Sequence, residues 1–312
     1  MLDATDLSPA DFHFDPDIGL GVRDRLRDIA DTLIRRPLYK ILYDKKFVHQ
    51  PYPINLVLPG KGLSTLARRR WVNRYVLLSN SRVLVIGCGS AWDFGSYLRF
   101  QPKEIVGIDL YNFASCWQKV QQYVKQANLP TKLTFHQADI AEIDKTLLGK
   151  FDIICSDAVF EHCRDLKSVL KNLYSLLRPG GIMYASYGPI WYCLGGDHFS
   201  GRGGLENGYN HLMMEPTDYQ NYYHAHLRDP AYELQNGGRY IELDLFSKLS
   251  ASEYFELYQE IGFQPKSVVV DFSKQAESLR TVPIFKQVLT KYTQLTSEDL
   301  LLRGHFLILE KT

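Results

Sequence analysis

The 312-residue chain carries almost no net charge, with 36 Lys+Arg against 35 Asp+Glu for a formal value of +1. A near-neutral protein has no long-range field to draw it to nucleic acid or to an anionic membrane, so neither is expected as a partner. The chain also lacks an apolar run long enough to cross a bilayer. Its amino terminus, MLDATDLSPADFHFDPDIGL, has no basic segment leading into an apolar one, which gives a cytoplasmic expectation. Cysteine is sparse: Cys88, Cys116, Cys155, Cys163 and Cys193 show neither the C-x-x-C spacing of zinc sites nor the density of a disulfide scaffold. They read as reduced thiols, and no metal is expected. No internal repeat and no low-complexity tract is present, and 45% hydrophobic residues suffice for a large core. What remains is a folded protein whose partner is small or another protein, acting as a monomer or homodimer.

From about residue 82 short apolar runs alternate with longer stretches of helical spacing, the pattern of parallel strands joined by crossover helices. RVLVIG, EIVGIDL (104–110), KLTFHQAD (132–139), FDIICSDAV (151–159) and GIMYASYG (181–188) are the expected strands. SCWQKVQQYVKQANL and DLKSVLKNLYSLLRPGG are expected helices. After Gly188 the rhythm stops until SASEYFELYQEIGF resumes as a helix, followed by strands KSVVVDF (266–272) and HFLILE (305–310). The intervening tract, rich in Gly, Tyr and His, reads as an insertion into an α/β core. The first eighty residues are mainly helical by pattern, with PYPINLVLPGKG as a break, and Arg68-Arg69-Arg70 reads as a solvated helix face.

The first strand ends in VLVIGCGSAWDFG. A glycine-rich turn at this place lets the backbone approach a nucleoside-like ligand closely. The dinucleotide pattern G-x-G-x-x-G would need its third glycine at position 92, where Trp92 stands, and the phosphate-cradling G-x-x-x-x-G-K-[ST] pattern is absent. Asp109 closes the second strand, where a carboxylate can accept hydrogen bonds from both hydroxyls of a ribose. Asp139 closes the third, placed to meet an adenine edge, and Ser156-Asp157-Ala158 closes the fourth. Three carboxylates on one rim suit a cationic ligand without phosphate.

These residues resemble the class I S-adenosylmethionine-dependent methyltransferases from about Arg82 to Ser186: VLVIGCGS, GIDL, QADI, FDIICSDAVFEHC and LLRPGGIMYAS match that family's motifs in order and spacing. The resemblance implies a Rossmann-like, doubly wound, seven-stranded, mostly parallel sheet with an antiparallel last strand beside the fifth, together with N-terminal helices and an inserted lid. The expected organisation is a helical cap (1–80), a cofactor-binding core (81–187), an acceptor-binding insertion (188–250) and a C-terminal completion of the core (251–312). The implied cofactor is S-adenosylmethionine, held by Gly87, Cys88, Gly89, Asp109, Leu110, Asp139, Ile140, Asp157 and Ala158. Val85 departs from the pattern, since an acidic residue is usual there; Arg, Tyr or backbone groups of residues 68–80 are the expected substitutes.

Methyl transfer from a sulfonium gains most from alignment and exclusion of water, so a cover over the cofactor is needed. In the insertion, glycines supply hinges and Trp191, Tyr192, Phe199 and Tyr209 supply apolar faces for a small organic acceptor. If the acceptor is a hydroxyl it needs a base, for which His198 is the first candidate, His211 the second and His162 the third. The expected reaction is transfer of a methyl group to O or N of a small-molecule metabolite. Two alternatives stay open: a non-catalytic, cofactor-binding partner protein of the same fold, and a nicotinamide-dependent oxidoreductase.

Overall fold

In the central strands apolar residues run without interruption because both faces of the sheet are covered. Successive side chains of a strand point to opposite faces. Leu84 and Ile86 accordingly join one buried cluster, while Val83 and Val85 join the other. The computed structural model describes residues 5–43, 47, 52, 54–59, 63–143, 148–226 and 245–312. The N-terminal helical segment is α1 (Val22–Ala30), one turn of π-helix and α2 (Arg36–Tyr43). Then come β1 (Leu56–Pro59), α3 (Thr65–Val72), β2 (Arg82–Ile86), α4 (Gly95–Leu98), β3 (Glu104–Asp109), α5 (Ala114–Gln126), β4 (Lys132–Gln137), β5 (Phe151–Asp157), α6 (Leu166–Leu176) and β6 (Leu177–Tyr187). The remainder contributes α7 (Asn210–Met213), α8 (Pro216–His226), α9 (Ala251–Ile261), β7 (Phe263–Phe272), α10 (Lys274–Ser278), α11 (Pro283–Lys291), α12 (Ser297–Leu301) and β8 (Leu302–Lys311).

The sheet has eight strands in the order β1-β7-β8-β6-β5-β2-β3-β4. Among the described residues only β8 runs antiparallel, paired with β6 on one side and β7 on the other, as the expected last strand should. The seven expected strands are present; the eighth, β1, comes from the segment read as a break and pairs in parallel with β7 at the sheet's edge. Flanking prolines hid it, but an edge strand tolerates proline because one side of its backbone needs no ladder partner.

The helices follow from local chemistry. Asp165 caps α6 by accepting from Ser168 N at 3.0 Å, and Leu166, Val169, Leu170, Leu173 and Leu176 are its buried residues. Ser250 and Glu253 form a reciprocal capping box on α9, which stops at Gly262 with φ 104°. Because β2, β5 and β6 are parallel neighbours, their carboxyl ends share one rim. The chain order reverses between β2 and β5, which is where sheets of this kind hold ligands.

Candidate functional site

β2 runs out into Gly87-Cys88-Gly89, where Gly87 (φ 63°) and Gly89 (φ 48°) both adopt the left-handed conformation that glycine tolerates best. A side chain at Gly87 would also lie 2.1 Å from Val159 Cγ2, whereas beside Gly89 there is open space. Asp109, at the end of β3, clasps this turn: Oδ2 accepts from Gly89 N at 2.7 Å and Oδ1 from Tyr111 N at 2.9 Å. The Gly89 carbonyl accepts from Trp117 Nε1 at 2.7 Å, and the Trp117 ring stacks on Phe135. Burial raises the Asp109 carboxyl above its ordinary range, while the backbone N–H groups oppose that rise. The Leu110 N–H also supports the carboxylate, which keeps acceptor capacity for a ligand hydroxyl. Leu110 follows directly. Asp139, past β4, accepts from Ala141 N at 2.8 Å and so fixes the turn that carries the buried Ile140.

Asp157, the last residue of β5, is the centre of an ion network rather than an open carboxylate. Arg68 Nη1 donates to its Oδ1 at 2.8 Å and Arg69 Nη2 to its Oδ2 at 2.7 Å, while Tyr184 and Ser186 hydroxyls donate to Oδ1. Burial works against its charge, but Arg69 and Arg68 prevail and hold the carboxyl well below the usual range. Arg69 also donates to Asp93 at 2.6 Å, and its guanidinium lies 4.0 Å from the centroid of the Tyr97 ring. The expectation of a solvated arginine face is therefore corrected: Arg69 is fully buried and Arg68 partly so, leaving Arg70 exposed at 54%. Consecutive helical residues diverge by about 100°, so a triple can place two members on acids and one in water. Sequence reasoning named Arg69 but not its buried role, and it missed Asp93, because no spacing links either to Asp157. Ala158 (φ 56°) continues the rim, its N–H bonded to Ser186 O at 2.7 Å.

Two of the three candidate histidines come together. The His162 and His198 rings lie 4.8 Å apart between centroids, and Phe246 packs on both, at 4.8 and 5.6 Å. His198 has φ 64°, a conformation that histidine adopts more readily than most residues. Burial lowers His162 to about 3 and His198 to about 4, so both rings are neutral near pH 7. Asp197, adjacent in sequence, does not orient His198. It accepts instead from Ser200 N at 2.7 Å, Ser200 Oγ at 2.9 Å and the Tyr219 hydroxyl. His211 sits apart from the pair in function: Nε2 bonds the Trp191 carbonyl at 2.7 Å and Nδ1 faces Asp197 at 3.6 Å, so it ties the insertion together. Beside the pair lies a residue absent from the sequence candidates, Glu161, 1% exposed, whose Oε1 accepts from Gly188 N at 3.0 Å. Burial pushes its carboxyl up to about 8. Val159, two residues earlier, lies where a side chain at Gly87 would meet it at 2.1 Å, which puts the cluster on the same rim as the glycine turn.

The four aromatic residues expected to line an acceptor pocket are packed. Trp191 packs edge-on against His211 and tilted against Phe246, Tyr192 meets Tyr292, Phe199 lies among Tyr222 and Tyr223, and Tyr209, fully buried, meets Phe285. The glycines expected as hinges include two that are crowded: a side chain at Gly196 would meet the Trp191 carbonyl at 2.0 Å, and one at Gly208 would meet Leu194 at 2.0 Å. A cavity of about 520 Å³ opens instead beside His198, lined by Pro189, Leu194, Gly195, Ser200, Ser273, Lys274, Gln275 and Arg303. Its charged lining is cationic. The Arg303 guanidinium stands 3.9 Å from Asp271.

The residues of the rim fit S-adenosylmethionine: open space beside Gly89, spare acceptor capacity on Asp109, and, among the described residues, the buried Ser156 hydroxyl without a hydrogen-bond partner. A methyltransferase-domain family model matches residues 64–267. Malonyl-[acyl-carrier protein] O-methyltransferase of Bacillus anthracis is 33% identical over 125 residues, covering 40% of this chain and 42% of that protein. Sterol 24-C-methyltransferase of Clavispora lusitaniae is 29% identical over 103 residues, covering 33% and 27%. The chain thus spans less than half the length of these curated relatives. A geranyl diphosphate C-methyltransferase from Streptomyces coelicolor, solved with S-adenosyl-L-homocysteine, superposes with a TM-score of 0.47 at 12% identity, covering 80% of this chain and 79% of that one. The family match extends over more than half of the sequence and contains the glycine turn, the strand-end acids and the histidine pair: the chain belongs to the class I S-adenosylmethionine-dependent methyltransferases.

Proposed function

We propose that the protein transfers a methyl group to an oxygen or nitrogen atom of a small, anionic molecule by direct displacement. The observation that carries this reading is the cavity of about 520 Å³ beside His198, whose charged lining is Lys274 and Arg303. A cationic lining favours an acceptor bearing a carboxylate or a similar anion. S-adenosylmethionine supplies an electrophilic methyl group and a good leaving thioether. Asp109 would hold the ribose hydroxyls, the Asp139–Ile140 turn would meet the adenine, and the Gly87–Gly89 backbone would lie along the remainder. Lys274 and Arg303 anchor the acceptor, and its nucleophilic atom faces the His162–His198 pair. Both rings are neutral near pH 7 and so can accept a hydrogen bond from an acceptor O–H or N–H. Alignment of this kind is worth roughly 7–11 kcal/mol in well-oriented systems.

The test has two stages. Calorimetric titration should show saturable binding of S-adenosylmethionine to the purified chain. Incubation of metabolite extracts with the enzyme and a deuterated-methyl donor should then yield a labelled small molecule visible by mass spectrometry. A folded chain that binds neither the donor nor its demethylated product defeats the reading.

A further inference from the structure

We propose that Glu161, His162 and His198 form a binding site for one divalent transition-metal ion. One donor atom from each residue lies within 4.8 Å of the other two. The carboxylate is 1% exposed, and with Oε1 committed to Gly188 N its Oε2 has no hydrogen-bond partner among the described residues. His198 Nε2 is likewise buried and without a partner among the described residues. Native proteins seldom leave buried polar atoms unmatched, and two such atoms, with the His162 ring beside them as a third ligand type, are explained by an ion that takes their lone pairs.

The donor set selects the class of ion. Two imidazoles and one carboxylate suit Zn²⁺, Co²⁺, Mn²⁺ or Fe²⁺, whereas Mg²⁺ and Ca²⁺ prefer all-oxygen shells. Tetrahedral donors about 2.0–2.2 Å from an ion stand about 3.3–3.5 Å apart, so donors up to 4.8 Å apart need to close by up to about 1.3–1.5 Å. The supporting shell is already built: Gly188 N fixes the carboxylate, and Phe246, backed by Trp191, holds both rings. Three protein ligands leave a fourth position open. His198 also lines the cationic cavity, so that position adjoins the acceptor space. An ion held there would supply Lewis acidity toward a hydroxyl acceptor, lowering its pKa so that its proton passes to solvent; His162 and His198 would then be ligands, and their hydrogen-bonding role toward the acceptor belongs to the metal-free chain. This role rests on the methyltransferase reading; the site itself does not.

The full-length chain, stripped with a chelator and exchanged into metal-free buffer, is titrated with CoCl₂ and separately with ZnCl₂, following visible Co²⁺ absorption and heat. One equivalent should bind with the ligand-field bands of a nitrogen-ligated, low-coordinate ion. Glu161→Gln and His198→Ala should each weaken binding at least tenfold, and His226→Ala, on α8, should leave it unchanged. Circular dichroism checks that each variant is folded. A folded wild-type chain that takes up neither ion overturns the proposal, as does binding that survives the paired His162→Ala and His198→Ala substitutions. S-adenosylmethionine binding is measured in parallel: a chain that binds the donor and no metal loses only this inference, and one that binds metal and no donor loses the methyltransferase reading.

Discussion

Arg69 donates to the Asp157 carboxylate at 2.7 Å with its side chain wholly buried, which clamps α3 onto the carboxyl end of β5. The same guanidinium holds Asp93, so one cation separates two acids. Arg69→Met should destabilise the fold by about 3–5 kcal/mol, because both carboxylates then stay buried without their shared partner. Arg70→Ala, at an exposed neighbour, should stay within about 0.5 kcal/mol of wild type. Urea unfolding of the two variants checks the contrast. Equal effects would mean that the network carries no special weight.

The strands of the core were legible because a buried parallel strand is a short apolar run, and runs such as VLVIG and DIICS recur at the spacing of such strands. The antiparallel β8 followed from the resemblance. β1 was not legible: four residues among prolines give no periodicity, and only the β7 edge makes them a strand. The glycine turn and Asp109 were legible as a pair, although the clasp between them reverses the emphasis, since the acid first holds the protein's own backbone. Asp157 looked like its equal on the rim, yet its lone pairs are taken by residues remote in sequence. The aromatic residues of the insertion were read as pocket walls, but composition cannot say whether a ring faces a ligand or a neighbour. Phe199 and Tyr209 face neighbours. The approach of His198 to His162 depends on how the insertion returns to the β5 rim, and Glu161 carried no local signal.

Gly87 and Gly89 make separable demands. Both have positive φ, so Gly89→Ala, which meets open space, should cost about 1–2 kcal/mol of backbone strain. Gly87→Ala adds the collision with Val159 Cγ2 and should cost about 1–3 kcal/mol more. In a double-mutant cycle Val159→Ala should recover much of that second part. Additive effects of Gly87→Ala and Val159→Ala would contradict the geometry.

His305 gives a pH dependence of known sign. Tyr258 donates to the Tyr187 hydroxyl at 3.0 Å, which leaves Tyr187 to donate to His305 Nδ1 at 2.8 Å in a fully buried setting. Burial lowers the imidazole from 6.5 to about 3. Between these values the unfolded chain binds the proton and the folded chain does not. Stability is therefore fully present above pH 6.5 and falls as pH drops toward 3, by about 1.4 kcal/mol per unit from this group. In His305→Leu the slope should be smaller by that amount, so the gap between variant and wild type narrows as the solution is acidified. Parallel stability curves would exclude the assignment.

Asp109 holds the glycine turn and is proposed to hold the cofactor's ribose, and two substitutions separate these roles. Asp109→Ala removes both the clasp on Gly89 N and any contact with a ribose. A hydrogen bond to a charged group contributes about 1.5–3 kcal/mol, so donor affinity should fall roughly ten- to hundredfold or more, with a measurable loss of thermal stability. Asp109→Asn keeps the size and one acceptor oxygen, which can remain on Gly89 N, but exchanges the other oxygen for a donor that cannot accept from a hydroxyl. Its melting temperature should stay closer to wild type than that of the alanine variant while its affinity for S-adenosylmethionine still falls, as measured by calorimetry. An asparagine variant that binds the donor as tightly as wild type would show that Asp109 serves the turn alone and that the ribose is held elsewhere on the rim.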